Sequence, residues 1–288
     1  MVVEEVYQHM IRALFNASMN LQAFRELSSL LIHHRTLTFE MSRREITDRY
    51  RGQFFGTFWA IGHPLILMVV YIFVFGFIFK VKIGGTPDMP LDYTVYLLSG
   101  LIPWLSFQES MTKASTVIVG NANLVKQVIF PIEVLPVKII VAMLFTQLIF
   151  LALLAGYTLV TYHALLWSYL LLPLLFLLQA LAMIGVSYIL SAIGPYLRDT
   201  KDFVQIFCTV CFYIMPMLYL PVAMPVVVRG VLYANPFSYL IWCYQDALYF
   251  GRFEHPWAWL VFPLLSLVTF VFGYRVFRRL KVMFGNVL

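Results

Sequence analysis

From Ile139 to Leu197 the chain runs for 59 residues without an Asp, Glu, Lys or Arg. A helix that crosses a bilayer needs about 20 predominantly apolar residues, so this run is too long for one span and suits two. Tyr162-His163, near its middle, offers the turn of a tight hairpin. The remaining composition agrees: 61% of residues are hydrophobic, 12% are charged and mean hydropathy is +0.84, whereas a soluble domain carries about 25% charged residues. In lipid every backbone polar group must be satisfied internally. The expected fold is therefore an all-α integral membrane protein.

Six spans follow from the apolar segments, at about 54–79, 93–119, 139–161, 165–195, 203–220 and 257–277. The second is interrupted by Glu109 and Lys113, four residues apart and able to pair on one helix face. The segment 230–245 is apolar but short, and it contains Asn235 and Pro236. It reads as external re-entrant half-helices between spans five and six. Six spans place both termini on one side. The Lys/Arg distribution puts that side in the cytosol, with only Lys80, Lys82, Arg229 and Arg252 outside. Residues 1–53 are expected to form a cytosolic N-terminal segment with an amphipathic interface helix, and residues 54–288 the six-span domain. The first 35 residues lack the apolar core of a signal peptide, and no function is read for them.

In the lead to span one, Phe39, Ile46 and Tyr50 lie on one helical stripe. Arg43, Arg44, Arg49 and Arg51 are placed to reach lipid phosphates or to snorkel. The sequence holds no GxxxxGK[ST], HExxH or GxSxG motif, so ATP cannot be bound through a P-loop of this chain. Cys208 and Cys211 form a CxxC between phenylalanines, which reads as two buried apolar thiols. Asp246, Glu254 and His255 cluster on the outer side, either solvating an exit or serving an enzyme at the membrane surface.

Aromatic residues are abundant, with 26 Phe, 17 Tyr and 6 Trp. Tyr71, Phe75 and Phe79 share one stripe of span one, and Phe212, Tyr213 and Tyr219 cluster in span five. Such faces stack on sugar rings, and Tyr hydroxyls hydrogen-bond to them. Packing against lipid or other helices is the alternative.

Four motifs in order then carry a resemblance. Arg44, Arg49, Tyr50, Arg51, Gly56, Trp59 and Pro64 precede Tyr71, Val74, Phe75 and Phe79. Asn123, Leu124, Lys126, Phe130, Pro131, Glu133 and Pro136 follow, then Arg198-Asp199, then NPFSYLI from Asn235. Over about residues 40–280 the chain resembles the ABC-2 type permeases that export polysaccharides. It departs at His63, where that family commonly has Asn.

The resemblance implies a transporter subunit and not an enzyme. Two copies would form the pore above two copies of a separate P-loop ATPase, which would hold ATP and Mg. This chain would carry no cofactor and bind no nucleic acid. Its loop 121–136 would be the coupling element, with Asn123, Leu124, Lys126, Val128, Phe130 and Glu133 facing the ATPase. Membrane lipids and a lipid-linked glycan would be its other partners, in the bacterial inner membrane. The glycan would be O-antigen, capsule or teichoic acid. A membrane-embedded enzyme or secondary carrier for a lipid-linked sugar stays as the alternative.

Overall fold

The computed structural model describes residues 26, 29–30, 32–74, 89–126, 130–219 and 226–287. Among these residues all regular structure is helical. The longer helices are α1 (Arg35–Tyr50), α2 (Trp59–Tyr71), α3 (Tyr93–Ala114), α4 (Val134–Tyr162), α5 (Leu172–Ile193), α6 (Thr200–Tyr213), α7 (Val226–Ala234), α8 (Pro236–Gln245) and α9 (Ala258–Leu280).

Four stretches among the described residues have the length and apolar composition of a span: 134–162, 167–193, 200–218 and 258–283. The apolar hairpin turns where the sequence offered a break. His163 takes φ 54, a left-handed cap that ends α4, and the chain re-enters through a 3-10 turn at Trp167–Leu171. A shorter apolar helix covers Trp59–Val74.

Helix α3 departs from that composition for a physical reason. Its 22 residues give about 33 Å, enough for a bilayer core of about 30 Å. Yet every residue from Tyr93 to Trp104 is buried against protein, so α3 needs no lipid-compatible surface. It packs on α4, α5 and α8 as the central helix. Its start is clamped at Asp92, whose carboxylate accepts from Val95 N–H and from the Tyr157 hydroxyl. The Asp92 N–H donates to Tyr162 Oη. That clamp ties the far end of α4 to the first turn of α3.

Helices α5 and α9 make the most extensive pairing. They touch backbone to backbone: a Cβ on Gly185 would lie 2.2 Å from Thr269 O, and one on Gly273 2.0 Å from Gly185 O. Without an aqueous drive between helices in lipid, such small-residue contact is how packing gains its dispersion energy.

Helices α7 and α8 are 9 and 10 residues long, about 15 Å each, half a bilayer core. They are broken at Asn235, whose side chain caps α8 by accepting from Phe237 N–H.

Between α1 and α2 the chain reverses through Gly52 and Gly56, at φ 79 and 51. Helix α1 is held by only part of the apolar stripe expected of it: Tyr50 is buried and Ile46 packs on the core, but Phe39 turns outward. Phe39 is 64% exposed, and the buried face is Thr38, Ser42 and Tyr50. Ion pairs through Glu45 and Arg49 add to that attachment.

Candidate functional site

Contacts gather a set of charges at one end of the bundle. Glu45 of α1 meets Lys113 of α3 at 3.2 Å and Lys138 of α4 at 3.4 Å. Arg49 meets Glu109 at 3.0 Å, and Glu109 lies 3.8 Å from Lys113. The pair read from spacing, Glu109 with Lys113, is thus one edge of a five-residue network on three helices. Exposed ion pairs contribute only about 0.2–1 kcal/mol each. This network is half-buried and shares partners, so losing one member leaves others uncompensated. Burial pushes the Glu45 carboxyl up, but the Lys113 and Lys138 ammoniums outweigh it and hold its pKa below the ordinary value.

The four arginines expected at the lipid surface are not equivalent. Arg43 and Arg44 are exposed on α1. Arg51 is exposed and paired with Asp48 at 3.3 Å. Arg49 is drawn inward by Glu109, and its Nη1 is buried without a hydrogen-bond partner. Beside it lies a cavity of about 320 Å³, lined also by His63, Gln108, Thr112 and Phe150.

In the expected coupling loop, 121–136, a one-turn helix at Ala122–Val125 follows another at Val117–Gly120, and a turn leads into α4; residues 127–129 lie outside the described residues. Asn123 and Lys126 lie at its surface, both exposed. Leu124 and Phe130 are partly buried and pack on the core. Val128 lies outside the described residues. Glu133 corrects the expectation of a surface contact: it is 5% exposed and its carboxylate is taken by Lys281.

Of the aromatics expected to line a pore, Phe75 and Phe79 lie outside the described residues, and Tyr71 packs on the core. Phe212 is partly buried against that core. Tyr213 and Tyr219 are 63% and 38% exposed, with the Tyr219 hydroxyl donating to Tyr213 O. Sequence reading missed a polar stripe on the same helix. Asp202, Gln205 and Thr209 are exposed at i, i+3 and i+7 of α6, lining a groove of about 400 Å³ with Ile206 and Val210. Their alignment at helical spacing was the available signal. Polar groups at membrane depth are costly against lipid and belong beside water or protein. Cys208 and Cys211 sit on the opposite, buried face of α6 as unpaired thiols.

A second missed cluster lies in the core. Gln147, Gln179 and Tyr244 are fully buried and bonded to one another at 2.6–3.1 Å, and Gln179 also donates to Pro103 O. At the other end of the bundle Asp246 is 1% exposed. One of its oxygens accepts from His255 N–H and Trp259 Nε1–H, and the other meets His255 Nδ1 at 2.8 Å. His255 stacks on Trp242, and Glu254 pairs with Arg252. These contacts occupy the carboxylates with structural partners and leave Asp246 no face for a substrate.

Bundle, surface loop and polar-striped helix coincide with a known family. The ABC-2 type transporter family matches residues 36–249. The chain belongs to that family. Its relatives include the O-antigen export system permease protein RfbA of Myxococcus xanthus, 27% identical over 258 residues, 89% of this chain and 96% of that protein. RfbA of Klebsiella pneumoniae is 25% identical, covering 86% and 93%. The polysialic acid transport protein KpsM of Escherichia coli is 21% identical, covering 82% and 90%. This ABC-2 chain is therefore a transporter membrane subunit and not an enzyme.

Proposed function

We propose that the chain is the transmembrane half of an ATP-driven exporter that moves a lipid-linked polysaccharide, O-antigen foremost, across the bacterial inner membrane. The observation that carries the substrate class is coverage. Relatives named as O-antigen or polysialic acid transport proteins align over more than four fifths of both chains, loop and α6 included.

In this reading six spans cross the membrane, with α2 and its continuation first, α3 second, and α7–α8 re-entrant on the outer side. The end that holds Glu45, Lys113, Lys138 and Lys281 faces the cytosol, with both termini. Two copies assemble so that α6 of each, with the turn that follows it, contributes Asp202, Gln205, Thr209, Tyr213 and Tyr219 to a wet pathway. Hydroxyl, amide and ring surfaces suit a glycan that must slide without being held. A separate P-loop ATPase, with ATP and Mg, docks beneath. The exposed Asn123 and Lys126 are its contacts, and the packed Leu124 and Phe130 hold their loop in shape.

Arg43, Arg44 and Arg51 face lipid phosphates. Arg49 offers its unpartnered Nη1 to the cavity beside it, where the diphosphate of a lipid-linked glycan can be met.

Disulfide cross-linking tests the docking. Asn123→Cys, paired with single cysteines along the surface cleft of the co-purified ATPase, should form an ATP-sensitive cross-link. A loop that never cross-links in an assembled, active complex is not the coupling element.

A further inference from the structure

Glu133 poses a question that the coupling reading leaves open. It lies within the loop 121–136 and immediately precedes α4, yet its carboxylate is almost wholly removed from solvent. A buried carboxylate is costly unless paired, and an apolar residue would anchor a loop with less penalty. Its partner is Lys281, which lies 148 residues further along the chain, just after α9 and beyond the family match.

The surroundings of that pair form one unit. Tyr188 of α5 donates to the Glu133 backbone carbonyl at 2.9 Å. Tyr196, after α5, donates to Leu280 O at 2.8 Å. Beyond Lys281 the chain makes a 3-10 turn and one helical turn, which place Phe284, 1% exposed, against Phe277 and Tyr196. Helix α9 is in turn fixed to α5 by the Gly185 and Gly273 contact. A push on the loop therefore reaches α5 through the Tyr188 hydrogen bond and α9 through a directional ionic contact backed by an aromatic plug.

We propose that Lys281 is a positioning residue for energy coupling: with Glu133 and Phe284 it forms a strut that transmits displacement of the coupling loop to the α5–α9 pair. The proposal rests on the reading of 121–136 as the loop that meets the ATPase. Packing alone would also hold the loop, but it would not depend on the sign of the charges. The strut does.

The test uses the complete transporter, this chain with its ATPase. Lys281→Glu, Lys281→Arg and the exchange Glu133→Lys/Lys281→Glu are compared for surface glycan, ATP hydrolysis and the Asn123→Cys cross-link. Lys281→Glu should lower export at least tenfold while ATP hydrolysis stays within about twofold, so that ATP used per glycan exported rises. Lys281→Arg should export normally, and the exchange should recover at least a third of wild-type export. Normal export by Lys281→Glu overturns the strut. So does an exchange variant that accumulates normally but exports no better than Lys281→Glu. If Lys281→Glu fails to accumulate, the exchange and Lys281→Arg decide alone. Loss of the Asn123→Cys cross-link in the otherwise unaltered transporter defeats the docking reading. A cross-link that persists while Lys281→Glu exports normally defeats only the strut.

Discussion

Glu45 bridges Lys113 and Lys138 and so holds the interface helix on two others. Its folded-state pKa is depressed, so the stability it adds is present above the unfolded value and lost as pH falls through the folded value. The tether is complete at neutral pH and weakens below the ordinary value of 4.5. Glu45→Gln should cost on the order of 1 kcal/mol at pH 7. It should also flatten the fall in melting temperature that the wild type shows on acidification below that value. An equal fall in both proteins would remove Glu45 as its cause. The core offers a stronger case. Gln179→Leu deletes bonds to Gln147, Tyr244 and Pro103 and removes the donor to the buried Gln147 Oε1, while the Gln147 Nε2 bond to Tyr244 stays. A loss of about 1–3 kcal/mol is expected in detergent unfolding. The double change Gln147→Leu/Gln179→Leu should cost less than the sum of the single changes. The sequence announced neither arrangement. Gln147 and Gln179 interrupt an apolar run without revealing that they meet, and Glu45 lies in a charged stretch that does not name Lys138.

Among elements, the hairpin α4–α5 was the most legible. Its uncharged run demands two crossings, and His163 supplies the break. Helix α3 was legible in position but not in role, because burial among neighbours cannot be read from one segment's composition. The α1 stripe was legible in part. Ile46 and Tyr50 pack inward while Phe39 is exposed, and the ion pairs to Glu109, Lys113 and Lys138 could not be read from the stripe. Close approach of α5 and α9 was likewise invisible, because a glycine in a helix does not name what faces it. Gly273→Val should clash with the Gly185 backbone and destabilise by about 3 kcal/mol or more. Gly156→Ala, where an added Cβ meets nothing within 4 Å, should be neutral or mildly stabilising. Membrane accumulation and thermal unfolding of the two variants check this, and equal behaviour would refute the packing argument.

At the scale of the whole molecule, the proposed assembly makes the exposed face of α6 in one copy the face that a second copy completes into a pathway. Cysteines at Gln205 and Thr209 should then react with a membrane-impermeant thiol reagent in the assembled transporter. Cysteines at Leu260 and Leu264, exposed on α9, should stay unlabelled in lipid. The reverse pattern would move the pathway away from α6. The family was legible from ordered motifs, because loops and span ends carry charged and turn-forming residues whose order stands out against uniform apolar spans. The pathway was not, because a polar stripe has meaning only once the other helices have claimed their faces. The central claim is that this chain, driven by a separate ATPase, exports a lipid-linked glycan. Its most direct test is transport into inverted inner-membrane vesicles that contain the chain, its ATPase and a labelled lipid-linked glycan. The account predicts that label becomes protected inside the vesicles only with hydrolysable ATP, and that the signal is lost when either subunit is omitted. Protection without ATP, or undiminished when the ATPase is left out, would contradict it.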